Sequence, residues 1–192
     1  MRVSKEAKAA SYAKIIDEAA YLFRQNGIDA TSVADVMSAA GLTHGGFYRH
    51  FKSKNELVSA AIEKAVDEYA FTLEEAISRN GARQAIADYV KRYLSEDHVV
   101  MRGKGCPLAA LAAEAVPGNE MHKVAIADGT ERILYLLKKG FGGEEKEVSE
   151  RATGLLAILI GTLIMARSAG SRTSMKKILS SGRRTARLFT TP

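Results

Sequence analysis

Apolar residues recur every three or four positions along most of the chain, a spacing that is typical of amphipathic helices. The first such pattern predicts a helix over 10–25. A short second helix follows, with Thr31 or Ser32 as its N-cap, and Gly41 is placed to end it. Because Thr43 can open another helix only two residues later, the order of helix, glycine turn and helix predicts a helix-turn-helix.

A long helix is predicted directly after this unit. Ser53 and Glu56 have the spacing of a capping box, and apolar residues continue from Leu57 at intervals of four, which predicts one helix over 53–78. Runs of β-branched residues with a period of two are absent from the sequence, so the predicted fold class is all-α, with about nine helices. The remaining helices are predicted near 82–96, 105–115, 119–140, 144–168 and 173–188.

Residues 152–166 are apolar on every side of their predicted helix. The stretch is shorter than the roughly 18–20 residues that a membrane span needs, and Arg151 and Arg167 bracket it. A helix that is apolar all round is buried all round. In a chain of 192 residues, this pattern indicates one side on the core and another on a partner subunit.

Composition and charge narrow the class of protein. With 46% hydrophobic residues, the chain can form a core without disulfides, and a single cysteine, Cys106, fits a reducing cytoplasm. The N-terminal residues lack the apolar core of a signal peptide, so we expect a cytoplasmic protein with no membrane partner. The net charge of +6 is compatible with nucleic-acid binding without establishing it. Residues 172–192 carry six cations and no acid, which we interpret as a solvated helix face rather than a second nucleic-acid patch.

The stretch THGGFYRHF, residues 43–51, combines glycines, aromatic rings and cations. Gly45 and Gly46 each cost a helix about 1 kcal/mol relative to alanine, but they permit a close approach of the backbone to another surface. Phe47 and Phe51 are four positions apart and can anchor one face. The polar side chains around them can donate hydrogen bonds to phosphates. DNA binding is the favoured interpretation, although short helix–glycine–helix connections are also common in all-α proteins.

The whole segment carries a more specific pattern. IIDEAAYLFRQNGIDATSVADVMSAAGLTHGGFYRHFKSKNELVSAAI resembles the N-terminal DNA-binding domain of the TetR family of bacterial transcriptional regulators, over about residues 12–62. The most diagnostic portion is 41–57, which contains the turn glycine, FYRHF and KSKNEL.

The resemblance implies a protein in two parts. Residues 1–54 would form the DNA-binding domain, helix 53–78 the connection, and residues 55–192 a helical regulatory and dimerisation domain. It also implies a homodimer whose two C-terminal helices form a four-helix bundle with those of the partner. Such a dimer would place two recognition helices about 34–36 Å apart on near-palindromic double-stranded operator DNA. Since most family members repress, we expect a repressor that a small-molecule effector releases from DNA.

The resemblance also assigns roles to single residues. The recognition helix would run over 43–50. Three residues, Tyr48, His50 and Lys54, match positions that contact phosphates, whereas Arg49 lies where family members vary. Base reading falls to the first turn, where the glycines leave more of the specificity to DNA shape. The expected DNA-binding residues are Thr31, Ser32, Thr43, His44, Gly45, Gly46, Tyr48, Arg49, His50 and Lys54. Segment 2–8 is either a basic arm for the minor groove or a solvated terminus.

Aromatic and methionine side chains in the second part suit an adaptable pocket for a small apolar or aromatic effector, although the commoner role for any one of them is core packing. The candidate lining residues are Tyr89, Tyr93, Met101, Cys106, Met121, Tyr135 and Met165. Because Pro107 favours the first position of a helix, the Cys106 thiol is expected at a helix N-terminus. A lowered pKa there would favour an electrophile or oxidant sensor; a small buried residue is the alternative.

Enzyme chemistry has no recognisable motif in the sequence. The four histidines lack metal-ligand spacing, and we predict no catalytic residue, metal or cofactor. The alternative class is a helical dimeric module that binds small molecules or proteins and has lost DNA binding. The retained Tyr48, His50 and Lys54 argue against that alternative.

Overall fold

A computed structural model describes residues 5–190, and every regular element within them is a helix, which confirms the all-α class. Two short 3₁₀ helices, His44–Arg49 and Arg102–Lys104, interrupt the series of α-helices. The α-helices are Lys5–Asn26 (α1), Val33–Ala39 (α2), Lys54–Asn80 (α3), Ala82–Tyr93 (α4), Glu96–Val100 (α5), Pro107–Gly118 (α6), Glu120–Lys138 (α7), Glu145–Arg167 (α8) and Arg172–Thr190 (α9).

The first helix begins five residues earlier than its apolar pattern indicates. Lys5 and Lys8 lie in the first turn of α1, so this part of segment 2–8 is helical rather than an extended arm. The rest of that segment lies outside the described residues. An apolar pattern shows only where a helix buries a face, and this solvated turn of α1 buries none.

Helix α2 is capped as a short helix requires. Ser32 is its N-cap: the Ser32 hydroxyl accepts a hydrogen bond from the Asp35 amide, and the Asp35 carboxylate accepts one from the Ser32 amide. Gly41 ends the unit with a positive φ of 69°, which favours glycine. The turn then leads within three residues to the 3₁₀ helix His44–Arg49.

Helix α3 is the longest helix and packs against helices of both parts of the molecule. It begins at the Ser53 cap, whose side chain accepts from the Glu56 amide, and ends at Gly81, whose φ is 77°. The predicted apolar stripe is buried along its length, and α3 packs against α1, α4 and α7. A single rigid helix therefore joins the helix-turn-helix to the rest of the chain.

The helix predicted over 82–96 is two helices. Helix α4 ends at Tyr93, since buried Leu94 takes a non-helical conformation, and the Ser95 hydroxyl caps α5 by accepting from the His98 amide. Sequence spacing misses the break because Leu94 continues the apolar period. The break creates an irregular stretch, which we call the 95–106 segment, containing α5 and the second 3₁₀ helix.

Helix α8 is longer than the apolar stretch inside it. Over 23 residues it holds a window with a mean hydropathy of 1.5, so by length and composition alone it could cross a membrane, in contrast to the expectation from 152–166. One side packs on the core through residues such as Leu155 and Leu159. Ile164 and Met165 are exposed on another side. A core helix of a soluble protein passes the same length and composition test.

Most cations of α9 are exposed, as the sequence predicts, and three of them also contact other parts of the protein. Arg172 and Lys176 both pair with Glu96, at 2.8 and 3.4 Å, and Arg183 donates to the Leu94 carbonyl at 2.6 Å. These contacts fix the start of the 95–106 segment to α9. A run of cations can thus stabilise a neighbouring helix break, and the order of charges in the sequence does not show this.

Candidate nucleic-acid interface and ligand cavity

The 43–50 segment is held on the protein by aromatic rings. Phe47 is buried and stacks on buried Phe51 at 5.7 Å between ring centroids, and Phe51 stacks on Tyr12 of α1 at 5.2 Å. These contacts agree with the anchoring role predicted for the two phenylalanines. Because Tyr12 lies on α1, the position of the 43–50 segment depends directly on that helix.

The outer side of the segment is rich in hydrogen-bond donors. Tyr48 is 70% exposed, with its ring edge on Phe47, and Arg49, His44 and Thr43 are also exposed. None of these four side chains makes a hydrogen bond or ion pair that the described part of the structure records. Donors held on a rigid turn without internal partners are suited to an external acceptor such as phosphate.

Gly45 and Gly46 have no internal reason to be glycines. Neither has a positive φ. A Cβ added at Gly45 would meet nothing within 4 Å, and one at Gly46 would lie at an ordinary distance of 3.6 Å from the Met37 methyl. The backbone and its described surroundings therefore leave room for a Cβ at both positions. A requirement for glycine here would have to come from something outside the chain.

His50 lies at the inner edge of the segment. Burial lowers the pKa of its imidazole, and the nearby charges of Lys8 and Arg49 lower it further. Its Nδ1 is buried and has no hydrogen-bond partner among the residues that the structure describes, and its ring lies 6.2 Å from that of Tyr12. His50 is thus a neutral group at pH 7 whose charge state a neighbouring phosphate could change.

Three further predicted DNA-binding residues have different surroundings. Ser32 is exposed at the start of α2. Thr31 is 1% exposed, and its hydroxyl donates to the Gly27 carbonyl at 2.8 Å, so it has no exposed group for a phosphate. Lys54 is half-buried, and its Nζ donates to the Ile28 carbonyl at 2.6 Å, which ties α3 to the turn before α2.

A cavity of about 620 Å³ lies on the other side of α1. Its walls come from α1, α3, the end of α4 and the 95–106 segment, and its ring-bearing residues are Tyr21, Tyr69 and His98. The volume lies within the range of small-molecule sites. Met101, one of the predicted lining residues, stands at this cavity and is half exposed.

An aromatic layer lies against the cavity. Tyr69 contacts Tyr89, Tyr93 and His98, with ring centroids 5.9, 6.3 and 6.2 Å away. Tyr89 and Tyr93, both predicted as lining, are buried in this layer and are not among the residues that line the cavity. Burial raises the pKa of both phenols well above its ordinary value, so they remain protonated.

His98 joins the cavity wall to α6. Its Nδ1 donates to the Tyr93 carbonyl at 2.7 Å and its Nε2 accepts from the Cys106 amide at 2.9 Å, which fixes one neutral tautomer. Burial lowers the pKa of His98 to about 4. The Arg167 guanidinium donates to the His98 carbonyl at 3.2 Å, so α8 also contacts this point.

The Cys106 thiol does not have the property predicted for it. It lies before Pro107 at the start of α6, as expected, but it is 1% exposed. Burial raises the pKa of the thiol, and this outweighs the lowering by the amides of the first helical turn. The proposed thiolate sensor therefore loses its physical basis, and the alternative of a small buried residue describes Cys106.

The structure places the other predicted lining residues apart. Met121 and Tyr135 are exposed on α7, and Met165 borders a different groove between α8 and α9. Sequence reasoning did not find Tyr21, Arg24 or Glu68, which line the cavity from α1 and α3. One feature of the sequence could have pointed to Arg24. It lies on the apolar face of α1, and an arginine is seldom buried without a partner.

Within residues 5–190, no group of three His, Cys, Asp or Glu side chains is arranged to hold a metal ion.

An exposed helix-turn-helix on an all-helical frame, with a small-molecule-sized cavity behind it, defines the class of helix-turn-helix regulators.

Comparison with known proteins agrees with this class. Residues 15–61 match the model of "Bacterial regulatory proteins, tetR family". The chain is 25% identical over 132 residues to the transposon Tn10 TetC protein of Escherichia coli, covering 67% of this chain and 64% of that protein. It is 36% identical over 61 residues to the HTH-type transcriptional repressor KstR2 of Rhodococcus jostii, covering 32% and 30%.

Solved structures share the fold over nearly the whole chain. A TetR-family regulator from Cytophaga hutchinsonii superposes with a TM-score of 0.75 at 20% identity, covering 97% of both chains. By sequence, the chain spans about half the length of the curated relatives that it matches. The family match over residues 15–61, the curated relatives and the shared fold together support a TetR-family transcriptional regulator.

Proposed function

We propose that this protein is a cytoplasmic repressor that binds near-palindromic operator DNA as a homodimer and is released by a small-molecule effector. Residues 1–54 form the DNA-binding domain and residues 55–192 the regulatory and dimerisation domain, with α3 between them. The observation that carries the DNA-binding step is the pair Gly45 and Gly46. Nothing within residues 5–190 requires glycine there, whereas a helix that enters a groove gains from the absence of side chains.

The exposed donors on either side of the glycines support the same step. Tyr48 and His50 contact phosphates, with Arg49 exposed between them. Thr43, His44 and the glycine backbone face the bases, and Ser32 contacts the DNA backbone from α2. We leave Thr31 out of this set because its hydroxyl is buried and bonded to Gly27. Lys54 acts indirectly, since its Nζ holds the turn before α2.

Dimer formation is supported by the outer side of α8. Ala157, Gly161 and Ile164 lie at helical spacing on this side, with Met165 beside them, and all four are exposed or half-exposed. A groove of about 640 Å³ between α8 and α9 borders the same surface. Small and apolar residues in a stripe suit close packing against a second helix pair. Repression is supported by the relative named as a repressor.

The test of dimer formation is sedimentation velocity on the wild type and on Ile164→Glu. We expect a dimer for the wild type and a monomer for the variant, since a buried carboxylate without a partner is strongly unfavourable. A monomeric wild type would contradict the proposal.

The test of DNA binding is fluorescence anisotropy with DNA from the upstream region of the gene, and with scrambled DNA, across a salt series. We expect selective binding that weakens steeply with salt, and a loss of at least about fivefold in Tyr48→Ala. Phe71→Ala is the matched control, because Phe71 is a comparably exposed aromatic on α3, at 58% against 70% for Tyr48. Equal binding to both DNAs, unchanged by Tyr48→Ala, would contradict the proposal.

A further inference from the structure

We propose that the cavity behind α1 binds a planar aromatic molecule with an anionic group, and that the DNA-binding domain itself supplies one wall of that site through Tyr21 and Arg24. The binding step stands on the cavity alone. The regulatory consequence rests on the proposed function, because it concerns how the ligand changes the affinity for DNA.

The ring-bearing walls favour an aromatic ligand. Tyr21 and Tyr69 face the cavity from α1 and α3, and His98 and Met101 face it from the 95–106 segment. Aromatic rings stack on one another at low entropic cost, and methionine adapts to the shape of an aromatic guest. Both ring nitrogens of His98 are already bonded to the protein backbone, so His98 offers the ligand a ring rather than a charge.

The charges around the cavity favour an anion. Its acids Glu68 and Asp17 are neutralised by neighbours: Glu68 pairs with Arg24 and Lys64, both at 3.4 Å, and Asp17 pairs with Lys64 at 3.2 Å. The lining cations Arg92 and Lys104, in contrast, have no ion-pair partner among residues 5–190.

One lining acid, Asp97, also has no ion pair in that range. Two unpaired cations against one unpaired acid leave a surplus of positive charge at the mouth, which a carboxylate, sulfonate or phenolate on the ligand would neutralise.

The wall formed by α1 connects this site to the 43–50 segment. In the N-terminal half of α1, Tyr12 stacks on Phe51. Nearer the other end, Tyr21 packs so closely on Gly103 that a Cβ there would lie 2.5 Å from the ring, and Gln25 accepts from the Gly103 amide at 3.0 Å. A ligand that moves Tyr21 away from Gly103 would therefore move the helix on which the 43–50 segment is packed.

The first experiment locates the ligand without any substitution. Protein with ¹³C-labelled methionine methyl groups is titrated with 2-naphthoate, an aromatic carboxylate that the cavity volume can hold. We expect the Met101 methyl to shift through the ring current of the ligand, with a Kd below about 1 mM, while those of Met121 and Met165 stay in place. Unchanged Met101 at saturating naphthoate, or equal shifts at all three methyls, would overturn the proposal.

The second experiment tests the charge of the ligand by calorimetry. We expect 2-naphthoate to bind at least about tenfold more tightly than the cation 2-naphthylmethylamine, and Arg92→Gln to weaken naphthoate about fivefold while leaving neutral 2-naphthol within about twofold. Arg83→Gln, on the same helix and outside this cavity, is the matched control. Equal or tighter binding of the cation would overturn the anionic assignment.

The third experiment tests the α1 wall and separates this inference from the proposed function. Tyr21→Ala should weaken naphthoate and naphthol alike, and naphthoate should lower the operator affinity of the wild type at least about fivefold. Failure of the wild type to bind any operator would contradict the proposed function and leave the methionine result standing. If the wild type binds the operator, and naphthoate occupies the cavity without changing that affinity, only the regulatory step would be overturned.

Discussion

The 43–50 and 95–106 segments are both short, irregular and built around a 3₁₀ helix, yet they differ in whether polar groups within them are bonded to other helices. In the 43–50 segment, Tyr48 and Arg49 are exposed, and their polar groups make no hydrogen bond or ion pair within residues 5–190. In the 95–106 segment, the imidazole of His98 and the carbonyl of Gly105 are bonded to other elements of the protein. The first leaves its exposed donors available to another molecule, and the second holds α1, α6 and α8 together. Satisfaction of hydrogen bonds separates the two roles where secondary structure does not.

The largest expected effect comes from removing Arg24, which holds α1 to the 95–106 segment. Its guanidinium donates to the Ala20 and Gly105 carbonyls and pairs with Glu68. Because Arg24→Met leaves a buried carbonyl without its donor, we expect the free energy of unfolding to fall by about 3 kcal/mol in urea denaturation. Arg49→Met, an exposed arginine of the 43–50 segment, should change it by less than about 0.5 kcal/mol. Similar losses of unfolding free energy in both variants would contradict the difference in bonding between the two segments.

The next effect is a loss of stability in acid that originates at His98. Its pKa is lowered from 6.5 to about 4 by burial, so between these values the unfolded chain binds a proton that the native protein does not. Stability should therefore fall as the pH drops from 6.5 towards 4, by about 2–3 kcal/mol in total. The His98 Cε1 proton, followed by NMR, should show no titration above about pH 5. A midpoint near 6.5 would contradict the bonded, neutral imidazole.

A smaller effect, of opposite sign for folding and for binding, is expected at Gly45. Because a Cβ there meets nothing within 4 Å, Gly45→Ala should raise the free energy of unfolding by up to about 1 kcal/mol. The same change should weaken operator binding about tenfold by placing a methyl group against the DNA. Gly142→Ala, which is also unobstructed and has no positive φ, should leave operator binding unchanged. Full operator affinity in Gly45→Ala would remove the main support for close approach.

The smallest expected effect concerns His50. Burial and the charges of Lys8 and Arg49 lower its pKa in the free protein, and a phosphate beside it would raise the pKa again in the complex. Binding should then take up protons, so the operator affinity should rise by a few-fold as the pH is lowered from 8 to 6. In anisotropy titrations, His50→Gln should reduce this pH slope. An identical slope in the variant would place His50 away from the phosphates.

The sequence predicted most where residues act on their near neighbours. The Ser53 cap, the turn at Gly41 and the pair Phe47–Phe51 all involve residues within four positions of each other, so spacing alone predicted them. The choice between Thr31 and Ser32 as the cap was left open by the sequence, because both can cap and only burial distinguishes them.

The cavity was beyond the reach of the same reasoning. Arg24 meets the Gly105 carbonyl across 81 residues, and His98 receives its environment from α3, α4 and α6. Of the residues predicted to line a pocket, Met101 does so, whereas Met121 and Met165 lie on other surfaces. Residue type indicates what could line a pocket, but the packing of distant helices decides which residues do.

Helix α1 has a consequence for how far this protein can be treated as modular. Tyr12 and Tyr21 are nine residues apart, which is about 13 Å along one helix and on opposite sides of it. One supports the 43–50 segment and the other closes the cavity. A chimera that joins these first 54 residues to another regulator's C-terminal domain would carry away a wall of the cavity. Transplanting the DNA-binding domain would thus change the lining of the cavity as well as the surface that carries the 43–50 segment.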